Sequence, residues 1–286
     1  MRVISRKQGT KKYFYLQHSI RVGRKVITRE KYLGAELPRS IESVKQSFLN
    51  ELQSPLYDKF DKIRSHFQEE WTRLPKVVRD KEKEEIAIAF TYNTNAIEGS
   101  TITLYEAREI IHEGIAPNKP LNDVRETETH SKVFLEMLSM KEQITNGLLL
   151  RWHQSIFGET KHEISGHFRD YLVRVGGYVA PDWQDVKKLM NDLVFFLKEN
   201  HALNPVELAA RAHYQFEKIH PFGDGNGRIG RLLMNYILWQ KGYPMIIIEY
   251  KRRQSYYKAL QGDEERFVRY FFRRYLAVHK KRELFN

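Results

Sequence analysis

The chain contains no cysteine, and this absence excludes several classes of protein. Without thiols there is no disulfide framework, thiolate nucleophile, cysteine-ligated zinc or iron–sulfur cluster. Long apolar runs are also missing, since residues 244–248 fall far short of the ~20 residues that a membrane-spanning helix requires. The first residues lack the apolar stretch of a signal peptide. We therefore expect a soluble, cytoplasmic protein.

The composition is that of a folded protein with basic ends. Of the 286 residues 41% are hydrophobic, and 16 Phe, 16 Tyr and 4 Trp exclude wholesale disorder. The net charge of +12 divides into +9 for residues 1–34, +7 for residues 251–286 and −4 for the rest. A basic end can bind nucleic acid or an acidic protein surface, but a solvated charged surface is the commoner explanation.

The N-terminal segment has the pattern of a β-hairpin. Two runs rich in β-branched and aromatic residues, 12–21 and 25–33, flank a glycine-containing turn. Four aromatic residues lie among the cations: Tyr13, Phe14, Tyr15 and Tyr32. Stacking on single-stranded nucleic acid uses such a composition, but so does a small sheet that docks its aromatic face. We favour docking or target recruitment, and nucleic-acid binding stays open.

From about Ser40 onward the pattern is helical, which predicts a mostly α fold. Two N-terminal capping motifs, Thr103–Glu106 and Asn204–Glu207, precede apolar segments. Residues 182–200 form a long amphipathic segment. After residue 230 an almost wholly apolar stretch indicates a buried central helix.

The segment His220-Pro-Phe-Gly-Asp-Gly-Asn-Gly-Arg-Ile-Gly-Arg231 is too specific to be a plain connection. Its glycines let backbone N–H groups form an anion-binding nest that continues into a helix N-terminus. Arg228 and Arg231, three residues apart, can flank the same anion. Asp224 is a hard ligand suited to Mg²⁺, and His220 can take a proton near neutral pH. This combination predicts a phosphoryl or nucleotidyl transfer site.

This segment resembles the signature of the Fic family, His-Pro-Phe-x-(Asp/Glu)-Gly-Asn-Gly-Arg-x-x-Arg, at every fixed position. The resemblance implies a Fic-type helical bundle with a β-hairpin flap, and transfer of AMP from ATP to a hydroxyl side chain (Ser, Thr or Tyr) of a protein target, with release of pyrophosphate. The related Doc kinases have Lys where this chain has Gly227, which favours nucleotide transfer.

The resemblance also implies a role for each signature residue. His220 deprotonates the target hydroxyl and Asp224 binds Mg²⁺. Arg228 contacts the β-phosphate and Arg231 the γ-phosphate. The backbone of Gly225, Asn226 and Gly227 cradles the phosphates, and Asn226 helps to position the α-phosphate.

Three further segments resemble parts of the family. The stretch around Val175, Gly176 and Gly177 resembles the flap that docks the target by strand addition. Residues 94–99 match the inhibitory pattern Ser/Thr-x-x-x-Glu-(Gly/Asn), in which Glu98 pairs with Arg231 and denies it to ATP. Tyr257 occupies the position near the adenine.

These assignments predict four regions and an autoinhibited protein adenylyltransferase. The regions are a basic β-hairpin extension (1–35), a helical segment ending in the inhibitory motif (36–100), the Fic catalytic core (101–250) and C-terminal helices packing on it (251–286). ATP is the expected substrate, Mg²⁺ the metal, and the partner a protein with an accessible hydroxyl. Removal of AMP, transfer of another phosphate-containing group, self-modification, a homodimer and a nucleic-acid-binding regulator stay open as alternatives; no membrane partner is expected.

Overall fold

A computed structural model describes residues 1–22 and 25–284. The chain divides into two compact units, Met1–Lys59 and Phe60–Asn286, and the division falls within the first helix. The region boundaries expected at residues 35, 100 and 250 stay predictions. Among the described residues, no helix is both long and apolar enough to cross a membrane.

The first unit contains a three-stranded antiparallel sheet in the order β1 (Arg2–Gln8), β2 (Lys11–Val22) and β3 (Lys25–Gly34). The expected β2–β3 pairing is confirmed, while its turn at residues 23–24 lies outside the described part. Strand β1 was missed because its sequence is mostly polar and lacks a strong alternation. Gly9, with φ 63°, forms the turn between β1 and β2.

The two faces of this sheet differ. Leu16 is fully buried on one face, and the Phe48 side chain of the first helix is 4% exposed. On that side Lys31 lies 5.8 Å from the Phe48 ring and pairs with Glu51 at 2.8 Å. The opposite face carries three tyrosines in mutual ring contact, of which Tyr32 is 55% exposed.

Most of the described chain after residue 40 is helical, which agrees with the pattern of its sequence. Their bounds are α1 (Ile41–Arg73), α2 (Lys76–Ile97), α3 (Leu104–Arg108), α4 (Leu121–Met137), α5 (Asn146–Phe157), α6 (Trp183–Glu199), α7 (Pro205–Ile219), α8 (Asn226–Gln240), α9 (Arg253–Leu260), α10 (Glu264–Val278) and α11 (Lys280–Leu284). A π-helical turn (Glu109–Glu113) follows α3, and a 3₁₀ turn (Tyr250–Arg252) precedes α9.

The central helix of the second unit is α8, whose residues 226–238 are all buried. It packs mainly against α7 and also contacts α2 and α5. Because this helix is enclosed, the side chains of its first turns meet the surrounding helices and the loop before it. The glycine-rich segment is therefore attached directly to the central helix of this unit.

Local sequence signals set several helix ends. Thr103 and Glu106 form a reciprocal capping box at the start of α3. Asn204 caps α7 by accepting a hydrogen bond from the Val206 N–H at 3.0 Å, whereas the Glu207 carboxylate pairs with Arg211. Asp182 caps α6 in the same way as Asn204 caps α7, by accepting from the Gln184 N–H.

The expected flap is a short hairpin of β4 (Arg174–Val175) and β5 (Tyr178–Val179). Its two turn residues are glycines, and Gly176 has φ 58°, which is typical of a type II′ turn. The mostly α fold with a β-hairpin flap is confirmed.

Candidate active site

The glycine-rich segment connects the end of α7 to the start of α8. Among the described residues, His220 is the one non-glycine residue with positive φ (52°), and it ends α7 by donating its N–H to the Phe216 carbonyl at 2.9 Å. Proline follows at once, so the helix cannot continue. Strained backbone of this kind persists where surrounding contacts hold it.

Asn226 closes the loop on itself. Its side-chain oxygen accepts from the Phe222 N–H and its amide nitrogen donates to the Phe222 carbonyl, both at 2.8 Å. The side chain is 2% exposed. The side chain therefore shapes the loop. Gly225 starts α8 with φ 77°, and a Cβ there would overlap the Phe157 ring.

Arg231 is buried and bound to the end of α2. Its Nη2 pairs with Glu98 Oε1 at 2.6 Å, and its Nε donates to Thr94 Oγ1 at 2.7 Å. Burial acts to lower the pKa of Arg231, but the charge of Glu98 more than offsets it and the pKa is raised. Glu98 follows α2 directly, and Gly99, with φ 93°, ends the helix. This segment is thus an ordinary helix end, and that is compatible with the inhibitory role that the resemblance implies.

Gly227 makes room for this ion pair. A Cβ at residue 227 would overlap Glu98 Oε1 and lie 2.8 Å from Arg231 Nη1. The Glu98 carboxylate thus lies directly over the second residue of α8, where the resemblance places the phosphates. The carboxylate and a phosphate would compete for the same guanidinium.

Arg228 and Arg231 pair with different carboxylates. Arg228 Nη1 pairs with Glu126 of α4, and the guanidinium carbon of Arg228 lies 4.3 Å from the centre of the Phe157 ring. The two arginines are held by carboxylates on different helices, because α8 is enclosed on both sides. Arg228 is only 5% exposed, and the carboxylate of Glu126 balances its buried charge.

Asp224 is the exposed carboxylate of the loop. Its Oδ2 lies 2.8 Å from Lys161 Nζ and 3.7 Å from Arg228 Nη2. Burial acts to raise the pKa of Asp224, but the hydrogen bond from Lys161 and the charge of Arg228 hold it below the usual value. The carboxylate is therefore ionised at neutral pH.

Asp224 fits one kind of metal site. Within residues 1–22 and 25–284 no three His, Asp or Glu side chains group to hold a metal ion by themselves. Mg²⁺ commonly binds through one or two carboxylates and substrate phosphates. An exposed, ionised carboxylate beside a helix N-terminus fits that mode and does not fit a preformed all-protein cage.

Arg169 ties the His220 loop to the base of the flap. Its Nε donates to the His220 carbonyl at 2.8 Å, and its two Nη atoms donate to the Tyr171 and Pro181 carbonyls at 2.7 Å. Burial lowers the pKa of His220, although a hydrogen bond to the Glu217 carbonyl opposes the shift. The imidazole is therefore neutral near pH 7 and able to accept a proton.

His153 of α5 supports the loop from the other side. Its Nδ1 accepts from the Gly166 N–H at 3.0 Å, which leaves Nε2–H to donate to the Asp224 carbonyl at 3.0 Å. The ring stacks on Phe222 with centroids 3.9 Å apart. Burial lowers the pKa of His153 to about 4, so this histidine is a neutral support for Asp224.

The flap and Tyr257 lie at the edges of this arrangement. Val175, Gly176 and Gly177 are exposed, and the flap is anchored where Tyr178 Oη donates to the Lys218 carbonyl at 2.7 Å. Tyr257, 36% exposed, donates its hydroxyl to the Ile97 carbonyl at 2.9 Å, next to Glu98. Tyr257 therefore joins α9 to the segment that carries Glu98.

Four residues of the site were missed or undervalued by sequence reasoning: Glu126, His153, Lys161 and Arg169. None belongs to the signature, and each acts across a long sequence separation.

The comparisons with known proteins agree with this geometry. Residues 143–238 match the model of the Fic/DOC family. The chain is 36% identical over 193 residues to a protein adenylyltransferase Fic from Nematostella vectensis, a match covering 64% of this chain and 45% of that protein. A protein of the same name from Drosophila ananassae is 37% identical over 198 residues, covering 66% and 40%. The chain thus spans less than half the length of these relatives.

Solved structures give the same picture. A Fic domain containing signaling protein from Bacteroides thetaiotaomicron aligns with TM-score 0.69 and 26% identity, covering 79% of this chain and 95% of that one. Fic-1 from C. elegans (residues 134–508) aligns with TM-score 0.68 and 28% identity, covering 87% and 78%. The fold and the signature loop define a Fic-type domain. Residues 143–238 of this chain form a domain of the Fic/DOC family.

Proposed function

We propose that this protein is an autoinhibited adenylyltransferase that transfers AMP from ATP to a hydroxyl side chain of a protein target. The observation that carries the proposal is the pairing of Arg231 with Glu98 over Gly227, next to a complete signature loop. The loop carries the base, the metal ligand and the phosphate-binding groups that the reaction requires, and the Glu98–Arg231 ion pair would inhibit that reaction. Relatives named protein adenylyltransferase Fic support the same activity.

The phosphates of ATP would lie at the N-terminus of α8. Asn226 and Gly227 open the first turn of α8, where unpaired backbone N–H groups and the helix dipole favour an anion, while the Gly225 N–H donates to Asp224 Oδ1 at 2.6 Å. Arg228 would contact the β-phosphate, and Arg231 would contact the γ-phosphate once Glu98 has moved away from it. Tyr257 would then flank the adenine from α9, after exchanging its bond to the Ile97 carbonyl.

Mg²⁺ would be held by Asp224 together with phosphate oxygens. Bound there, the metal neutralises charge on the phosphates and on the leaving pyrophosphate. His153 orients Asp224 through its backbone carbonyl, and Lys161 neutralises the carboxylate when no metal is bound. The cytoplasm supplies both ATP and Mg²⁺, and we propose that compartment for the reaction.

His220 would act as the general base. Burial keeps its imidazole neutral, and Arg169 fixes its backbone. The imidazole takes the proton of the target hydroxyl as the oxygen attacks the α-phosphorus. The bond from the α-phosphorus to the bridging oxygen breaks, AMP remains on the target and pyrophosphate leaves. Most of the rate gain comes from positioning and charge neutralisation.

The flap would position the target. Its exposed residues 174–179 offer backbone groups for strand addition. Arg169 bonds both the flap base and the His220 carbonyl, so a segment paired with the flap is placed relative to the base.

The test uses ATP labelled at the α- or the γ-phosphate. The Glu98→Gly variant with Mg²⁺ and cell lysate should transfer the α-label to itself or to a partner, and the wild type should be nearly silent. The double variant Glu98→Gly, His220→Ala is the matched control, since it keeps the nucleotide site and lacks the base. Transfer of the γ-label would indicate a kinase, and no transfer of either label despite ATP binding would refute the proposal.

A further inference from the structure

Lys161 lies outside the signature but inside the site. It follows α5 in a turn held by its own N–H, which donates to the Phe157 carbonyl at 2.7 Å. Its ammonium lies 2.8 Å from Asp224 Oδ2 and 2.8 Å from Glu126 Oε1. No other cation of the described residues is within salt-bridge distance of both carboxylates except Arg228.

These groups form a closed electrostatic cluster of two cations and two carboxylates. Arg228 and Lys161 both lie over the Phe157 ring, at 4.3 and 5.0 Å from its centre, and both pair with Glu126. Each also faces Asp224. The cluster is neutral as it stands, although it borders the helix end where phosphates would bind.

The two carboxylates are not equivalent. Glu126 is 8% exposed and uses both oxygens, one for Arg228 and the other for Lys161 and the Thr160 hydroxyl. The side chain of Asp224 is 48% exposed. Glu126 is therefore a fixed partner, whereas Asp224 can exchange Lys161 for another cation.

The two cations also differ in access. Arg228 is enclosed, with 5% of its side chain exposed, whereas 28% of the Lys161 side chain is exposed. An ammonium carries three donors. Once a metal takes Asp224, the ammonium of Lys161 keeps one carboxylate oxygen of Glu126 and has donors to spare. Lys161 is therefore the more accessible of the two cations.

We propose that Lys161 is a further phosphate-binding residue, which contacts the β-phosphate of the nucleotide when Mg²⁺ occupies Asp224. Glu126 positions the ammonium of Lys161, and the same carboxylate and the same Phe157 ring also hold Arg228. We therefore expect the two cations to contact the same phosphate. The inference rests on the proposed function. It adds a residue that changes partner during binding, from Asp224 in the metal-free site to the nucleotide.

The test is calorimetric binding of ADP and of AMP, with Mg²⁺ and with EDTA, in the Glu98→Gly background. Lys161→Met keeps the aliphatic stem and removes the charge. We expect it to weaken Mg²⁺–ADP binding by about tenfold or more, the worth of one charge-assisted hydrogen bond, and to leave AMP binding unchanged. The loss should be smaller in EDTA, where Asp224 retains the ammonium.

Two control variants sharpen the result. Lys161→Arg should restore most of the ADP affinity, because it restores a donor and a charge. Lys132→Met removes an exposed lysine of α4 that pairs with Glu128 at 2.6 Å, and should leave all affinities unchanged. Melting temperatures establish that each variant is folded, and Lys161→Gln replaces the methionine variant if that one is not.

The outcomes separate this inference from the proposed function. Unchanged or tighter Mg²⁺–ADP binding by Lys161→Met would overturn the inference, since Lys161 would then be only a counter-ion that competes with the metal. Equal losses for ADP and AMP, with or without Mg²⁺, would also overturn it, because they would indicate a structural role. Failure of the Glu98→Gly parent to bind Mg²⁺–ATP or Mg²⁺–ADP would instead refute the proposed function.

Discussion

Breaking the Glu98–Arg231 pair should lower stability and release the nucleotide site at the same time. In Glu98→Gly the buried Arg231 keeps the Thr94 hydroxyl and carbonyl as partners but loses its counter-charge. Removing one partner of a fully buried pair costs about 3–5 kcal/mol. Because the Glu98 side chain is 32% exposed, water can reach the pair and the expected loss is nearer ~2 kcal/mol.

That loss corresponds to a melting temperature lower by about 4–8 °C for a protein of this size. Mg²⁺–ATP should reverse part of it, because a γ-phosphate can replace the missing carboxylate at Arg231. Ligand at about 100 times its Kd stabilises by ~2.7 kcal/mol. We therefore expect a larger ATP-induced rise in melting temperature for the variant than for the wild type, together with the appearance of AMP transfer.

The assay is thermal melting with and without Mg²⁺–ATP, run beside the labelling reaction. Glu98→Gln is the matched control, because it keeps the side-chain shape and a hydrogen-bond acceptor without the charge; its effects should be intermediate. If Glu98→Gly melts at a lower temperature but gains neither ATP stabilisation nor transfer, Glu98 is a structural partner of Arg231 and the reasoning fails.

Four further predictions follow from the site and from the sheet. His220→Ala, combined with Glu98→Gly, should abolish AMP transfer, while calorimetry should still detect ATP binding. With His220 present, the transfer rate should fall as the pH drops through the lowered pKa of His220, because the base becomes protonated. Asp224→Ala should raise the Mg²⁺ concentration needed for transfer or eliminate turnover in a metal titration. His153 should contribute roughly 3 kcal/mol to the fall in unfolding free energy from about pH 6.5 to pH 4, since burial holds its pKa at about 4 and the unfolded chain takes up the proton first; burial also lowers the pKa values of His213 and His279, so His153→Gln should make the fall shallower by that amount without abolishing it. Deletion of residues 1–34 should lower the melting temperature, because it removes the buried Leu16 and the Lys31 contact with the Phe48 ring of α1, without removing any salt-sensitive oligonucleotide affinity.

Each of these predictions has a result that would contradict it. Loss of ATP binding along with transfer would make His220 structural, and metal-independent transfer would remove Asp224 from the metal site. A flat stability profile between pH 6.5 and pH 4 would contradict a buried, neutral His153. An oligonucleotide affinity that falls steeply with salt and disappears on truncation would identify the sheet as a nucleic-acid platform.

Local signals in the sequence determined the helices, their caps and the identity of the reacting groups. Such signals act within a few residues, so they can be recognised from the sequence alone; examples are the capping box at Thr103, the proline after His220 and the glycines of the loop. The same holds for the flap turn at Gly176. The nature of the site therefore follows from the sequence, because the signature concentrates its chemistry in twelve consecutive residues.

The partners of those groups were decided only by the tertiary structure. The spacing of Arg228 and Arg231 indicated that both could flank one anion. In the structure Arg228 pairs with Glu126 and Arg231 with Glu98, which lie 102 and 133 residues away along the chain. Lys161 and Arg169 gave no local sign of their contacts with Asp224 and His220. Buried charges take the counter-charges that packing brings to them, and packing of distant segments is set by the whole core and not by the residues beside them.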